Sequence, residues 1–156
     1  MQQQEFYLTK EGYKNLSKEL ERLKSEDFQM VIKRVSAARE LGKLEDNQEY
    51  DEASKAKNIL EGRIEELEEI IKNAIIINGN KKATGVIEIG STVTVEVKGD
   101  HHTFTIVGSV EADPSQGKIS HESPVGQQLL GLKEGDIVKI KLPHATITYK
   151  IKKVHR

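Results

Sequence analysis

The chain has no cysteine and no tryptophan. The first absence excludes a disulfide framework and a thiolate metal site, and it agrees with a reducing cytosol. Aromatics are scarce, four Tyr and three Phe in 156 residues, so an aromatic-lined ligand pocket has little to be built from. No apolar run approaches the ~20 residues that a membrane span needs. The opening Met1-Gln2-Gln3-Gln4-Glu5 has neither a basic n-region nor an apolar h-region, so no signal peptide is read there and the expected location is the cytoplasm. Glycine-rich phosphate loops are missing, with no G-x-x-x-x-G-K-[ST] and no G-x-G-x-x-G. Ser120, His121 and Ser123 lie close together without the surroundings of a nucleophile elbow. His101, His102, His121, His144 and His155 show neither H-x-x-x-H nor H-E-x-x-H spacing and are read as surface or turn residues.

What is present is charge. Charged residues make up 31% of the chain against 36% hydrophobic, a balance that suits surface-rich helices rather than one large core. Net charge is −1, unevenly placed: residues 1–78 hold 13 bases and 17 acids, and residues 79–156 hold 11 bases and 8 acids. The segment 43–52 carries five acids (Glu45, Asp46, Glu49, Asp51, Glu52) against Lys43. That cluster alone accounts for the deficit of the first half.

The first half has helical periodicity. Leu16, Leu20, Leu23, Phe28, Val31, Val35 and Ala38 step by 4, 3, 5, 3, 4 and 3. Tyr50, Ala53, Ala56, Leu60, Ile64, Leu67, Ile71 and Ala74 step by 3, 3, 4, 4, 3, 4 and 3. Neither run contains proline. A helix over about 10–42 would be roughly 50 Å long at 1.5 Å per residue. Thr9 is the expected N-cap and Gly42 the expected C′ residue. Asp46 followed by Glu49 reads as the D-x-x-E start of the second helix. Two such helices joined by a short turn must lie antiparallel, seam to seam.

After Asn78-Gly79-Asn80 the pattern changes to strands and turns. Val93–Val97, Val138–Leu142 and Ile147–Ile151 alternate. Gly99-Asp100, Asp113-Pro114-Ser115-Gln116-Gly117, Gly135-Asp136 and Pro143-His144 supply the turns, and Gly126–Gly131 has room for one short helix. The expectation is an α+β chain: an antiparallel coiled-coil hairpin over 1–78, and a small sheet-and-helix domain over 79–156.

The acidic segment falls where the hairpin turns back. A hairpin tip has no cleft of its own, which argues against catalysis by this chain alone. Asp and Glu are hard oxygen ligands suited to Mg²⁺. On a free tip they bind the ion weakly, but they can share one already held by another protein. The basic tail from Lys150 to Arg156 reads as one face of the last strand, since a modest net positive charge does not by itself argue for nucleic acid.

Many short motifs in one order resemble the GreA/GreB family of bacterial transcript-cleavage factors, on its GreA branch. They run from Leu8-Thr9 and Glu11-Gly12 through Glu19-Leu20, Leu23-Lys24, Ala38-Arg39, Asn47, Glu49-Tyr50, Glu61-Gly62-Arg63-Ile64, Leu67-Glu68 and Asn73-Ala74. They continue with Gly90-Ser91-Thr92-Val93, Gly117-Lys118-Ile119-Ser120, Ser123-Pro124-Val125-Gly126, Leu130-Gly131 and Gly135-Asp136. The resemblance implies an FKBP-like C-terminal domain and a monomer that binds RNA polymerase. In that family the C-terminal domain docks at the rim of the secondary channel, against a coiled coil of the β′ subunit, while the hairpin enters the channel. Its tip acids help to hold the second Mg²⁺ of the polymerase active site, and the backtracked RNA 3′ end is cut. The factor has no cofactor of its own and activates the polymerase's intrinsic cleavage.

Carried over residue by residue, the resemblance makes Asp46 the metal-holding acid, with Glu45 assisting. It makes Arg39, with Lys55 and Lys57, the basic patch facing RNA, and Ser123 with Pro124 the docking segment. The tip departs from the family pattern G-D-L-x-E-N-x-E-Y: Lys43 replaces the first acid, Asp46 replaces Glu, and Ser54 stands at the second arginine of the patch. Two readings therefore stand side by side. One is a factor that stimulates cleavage; the other, favoured by Lys43, is a channel-binding factor that modulates the polymerase without cleavage. A prolyl isomerase is disfavoured because the C-terminal half has only Phe104 and Tyr149 to line a pocket. A generic coiled-coil adaptor does not account for the matches in the second domain.

Overall fold

The computed structural model describes residues 3–42, 46–77 and 85–155. Lys43, Leu44 and Glu45 lie outside the described residues, as does the boundary expected at 78–79. The fold is α+β, and its contacts divide it into two compact units: residues 13–73, and residues 1–12 together with 74–156.

The helical run starts where Thr9 caps it, its Oγ1 accepting from the Gly12 N–H at 3.0 Å. α1 (Lys10–Arg22) and α2 (Phe28–Glu40) are joined by a π-helical stretch, Leu23–Asp27, in which the Phe28 N–H reaches back to the Leu23 carbonyl. That stretch explains the odd step of five between Leu23 and Phe28. In a regular helix five residues turn through about 500°, carrying Phe28 off the seam. One wider turn absorbs the extra residue and restores the phase. Leu41 is the C-cap of α2, and Gly42 follows at C′ without the left-handed φ expected there.

α3 (Gln48–Lys72) runs back antiparallel to α2. The seam buries Leu23, Val35, Ala38, Ala53, Leu67 and Ile70. Near the turn it narrows to Val35, Ala38 and Ala53, flanked by Val31 and Tyr50, so small side chains let the helices approach closely. Lys24–Glu68 at 2.6 Å and Arg63–Glu19 at 3.0 Å pair across the seam on its exposed flanks. Such surface pairs are each worth ~1 kcal/mol at most, so the hairpin rests on the seam.

Among the described residues, the other unit holds two sheets. β1 (Phe6–Thr9) and β2 (Ala74–Ile77) form a parallel pair, Phe6 opposite Ala74 through Thr9 opposite Ile77. Neither segment alternates, so periodicity did not mark them. A five-stranded sheet is built from β3 (Thr92–Val97), β4 (Asp100–Val107), β5 (Lys118–Ser120), β6 (Ile137–Leu142) and β7 (Ala145–His155), in the order β5-β4-β3-β7-β6. Lys98 and Gly99, both at positive φ, turn β3 into β4, the geometry of a two-residue hairpin loop. β7 changes phase once: Thr94 pairs with Lys153 but Val95 with Ile151, leaving Lys152 as a bulge. The bulge lets Ile151 and Val154 both face inward although three residues apart.

α4 (Pro124–Leu129) starts two residues before the expected Gly126, because Ser123 caps it and Pro124 fits its first turn. It packs Leu129 onto a core of Ile87, Val93, Val95, Phe104, Ile106, Ile140 and Ile151. Each of these buried side chains contributes roughly 1.5–3 kcal/mol relative to exposure.

Candidate functional site

The residue that caps the start of α3 is Asn47, not Asp46. Asn47 is the N-cap of α3, its Oδ1 accepting from the Tyr50 N–H at 3.0 Å. Its amide nitrogen donates to the Ala38 carbonyl at 2.5 Å, which also accepts from the Leu41 N–H at 3.3 Å at the end of α2. One side chain therefore bonds to the end of one helix and the start of the other. The reading of Asp46 as the cap is corrected: an amide supplies a donor as well as an acceptor, and a carboxylate does not. Freed of that task, Asp46 is exposed, and among the described residues it makes no hydrogen bond or ion pair.

The neighbouring acids are less free. Arg34 of α2 holds Glu49 at 2.9 Å and lies 3.8 Å from Glu52. Both carboxylates raise the Arg34 pKa, Glu49 through its hydrogen bond first. Arg39 lies over the Tyr50 ring, 5.5 Å from its centroid, and its Nη2 donates to the phenol oxygen at 3.4 Å. This hydrogen bond, then that of Ser54 and the charge of Arg39, lower the Tyr50 pKa. The charge of Lys57 adds least to the lowering, and of the three basic-patch residues Arg39 is the one with a contact to Tyr50 among the described residues. Lys55 is two residues from Lys57, about 200° round the helix, and exposed. Lys57 also pairs with Glu61 at 3.7 Å. No group of three or more Asp, Glu, His or Cys among the described residues converges as a metal site. Asp46 offers one carboxylate, a hard oxygen donor that fits part of a Mg²⁺ shell whose remaining ligands come from elsewhere.

In the second unit, Ser123 uses its hydroxyl twice, accepting from the Gly126 N–H at 3.0 Å and donating to the Ser120 carbonyl at 2.7 Å. Gly126 is buried against the same turn, where an added Cβ would lie 2.1 Å from the Ser120 oxygen. Ser123 therefore shapes the turn, while Pro124 is presented on the surface. Pro124 lines a groove of about 390 Å³ with Glu122, Gln127, Gln128, Lys139 and Lys141. The last five were not identified from the sequence. The alternation of β6 marked both lysines as outward-facing, but nothing local told that α4 would lie beside them.

A model for the N-terminal domain of this kind of transcription elongation factor matches residues 6–76, and a GreA/GreB C-terminal model matches residues 82–156. The chain belongs to the GreA/GreB family. It is thus a member of a family of transcription elongation factors. GreA/GreB relatives include transcription elongation factor GreA of Chloroflexus aggregans, 44% identical over 150 residues, spanning 95% of this chain and 96% of that one. GreA of Listeria welshimeri is 43% identical over 151 residues, 96% of this chain and 94% of that one. Among solved structures, GreA factor homolog 1 of Thermus thermophilus is 31% identical with a TM-score of 0.45, covering 98% of this chain and 100% of its own. A GreA/GreB factor from Nitrosomonas europaea is 21% identical with a TM-score of 0.44, covering 98% and 99%. No helix among the described residues is long and apolar enough to cross a membrane.

Proposed function

We propose that this GreA/GreB-family chain binds RNA polymerase as a monomer in the cytoplasm. It docks through the Pro124 surface against the β′ coiled coil at the rim of the secondary channel and passes its hairpin tip into that channel. There it stimulates endonucleolytic cleavage of the nascent RNA 3′ end in backtracked, arrested complexes. The observation that carries this reading is Asp46: exposed beside the cap residue of α3, with no protein partner among the described residues. A carboxylate in that state would help to hold the second Mg²⁺ of the polymerase active site, which would supply Lewis-acid chemistry for phosphoryl transfer. Glu45 assists. Arg39, held at the Tyr50 ring, and Lys57 supply positive charge for the RNA phosphates, with Lys55 on a different face of α3. The chain is not an enzyme; the reaction is the polymerase's own.

The test is cleavage of end-labelled RNA in a stalled, backtracked complex of the source bacterium's polymerase, with and without the factor. Stimulated shortening of the RNA supports the reading. Asp46→Asn should lower stimulation by at least about tenfold, ~1.4 kcal/mol of barrier, with little loss of binding.

A second reading has its own observation. Lys43 stands at the first acid of the family tip pattern. If the wild-type chain binds the polymerase and competes for the channel without stimulating cleavage, it is a modulator built on the same fold.

A further inference from the structure

On the edge strand β6, Ile137, Lys139 and Lys141 form one outward row, while Ile140 between the lysines is buried in the core. Among the described residues neither Lys139 nor Lys141 forms an ion pair, although Lys152 on neighbouring β7 is paired with Glu96 at 2.7 Å. The opposite wall of the groove is α4, with Pro124, Gln127 and Gln128. Glu122, the one acid lining it, is engaged by the Ser109 hydroxyl at 2.5 Å and sits beside Ser120, whose Oγ accepts from the Glu122 N–H at 3.1 Å. The groove thus has two free ammonium groups, one carboxylate already in use, two side-chain amides and an apolar Pro124.

We propose that this groove is a docking surface for an acidic protein segment, and that Lys139 and Lys141 select it by charge. Nucleic acid fits less well. Two lysines neutralise few phosphates where binding of that kind needs many, and no aromatic side chain among the described residues lines the groove for base stacking. A protein segment with carboxylates placed against the two lysines, and an apolar residue against Pro124, uses every wall. Unpaired lysines on an exposed edge keep their hydration until a partner arrives, so they act mainly on encounter rate and partner choice. The proposal rests on the polymerase-docking reading above: the acidic segment is then part of the polymerase's docking element, and Ser123 is a positioning residue for the groove rather than a contact.

The test measures association of the full chain with core RNA polymerase of the source bacterium at several salt concentrations. Three variants are compared with wild type: Lys139→Glu/Lys141→Glu, Lys139→Gln/Lys141→Gln and Pro124→Asp. Charge reversal should slow association by about tenfold or more and flatten its salt dependence, with the neutral pair intermediate. All three positions are exposed, and unchanged circular dichroism and melting temperature will show that the fold is kept. Wild-type rates and wild-type salt dependence in the reversed pair, with binding lost in Pro124→Asp, overturn the role of the lysines and leave the docking reading standing. Failure of the wild-type chain to bind polymerase removes the docking reading and this proposal with it. Loss of binding to a single-stranded RNA oligomer, with polymerase association unchanged, would assign the lysines to nucleic acid and also overturn the proposal.

Discussion

Glu111 and Thr9, 102 residues apart, are joined by two hydrogen bonds: the Glu111 carboxylate accepts from the Thr9 N–H at 2.7 Å and from the Thr9 hydroxyl at 2.6 Å. The same hydroxyl accepts from Gly12, so the start of α1 is capped in relay by a side chain from a short 3₁₀ turn, Ser109–Glu111. A carboxylate at a helix N-terminus also meets the positive end of the helix dipole.

Glu111→Ala should therefore lower stability by about 1–2 kcal/mol, the cost of a lost cap with its charge. A Cβ on Gly12 would lie 2.2 Å from the Glu111 carboxylate oxygen, so Gly12→Ala must push that carboxylate away. The two substitutions disable one contact. Their costs in urea denaturation should be less than additive when combined, and full additivity would show that the cap does not hold both.

Asn47→Ala should destabilise the hairpin by about 1 kcal/mol and speed amide exchange over residues 48–51. Asn47→Asp keeps the acceptor for Tyr50 and loses the donor to Ala38. An intermediate loss in Asn47→Asp, read by the same exchange measurement, would separate the two bonds.

Tyr50 titrates below an ordinary phenol because the Arg39 guanidinium hydrogen-bonds to it. Arg39→Gln should move its ionisation upward. Following the Tyr50 ring signal by NMR through alkaline pH isolates it from Tyr7, Tyr13 and Tyr149. An unmoved titration would place Arg39 elsewhere in solution.

Gly126→Ala should cost roughly 1–3 kcal/mol through overpacking, since the oxygen it meets belongs to backbone and cannot swing aside. The check is a lower melting temperature with an unchanged α3 hairpin. A neutral substitution would mean that the turn before α4 relaxes freely.

Lys43→Asp should raise stimulated cleavage on the order of tenfold. Reversing one charge a few ångströms from a divalent cation in a wet site changes the energy by roughly 1–2 kcal/mol. Titrating Mg²⁺ in the cleavage assay should show half-stimulation at a lower concentration. No change in either quantity would take Lys43 out of the metal's reach.

The hairpin was legible in the sequence because its two seams repeat at helical spacing over many residues, and even its irregularity was there as the step of five from Leu23 to Phe28. The strands β3, β6 and β7 were legible for the same reason, since one face of each is buried and the other wet. The family followed from many short motifs in one order, and Ser123-Pro124 marked the turn where the groove begins. Local pattern could not supply contacts between residues far apart. β1 and β2 became strands by pairing with each other, with no alternation of their own. Asn47 rather than Asp46 became the cap, and only an amide could both accept from Tyr50 and donate to the Ala38 carbonyl nine residues earlier. Arg34 tied down Glu49 and Glu52 while Asp46 kept its carboxylate free, and Lys139 and Lys141 met α4 across a groove. Side-chain type and periodicity determine which face of an element is buried, but which polar group meets which is decided by where the packed backbone leaves donors and acceptors unsatisfied.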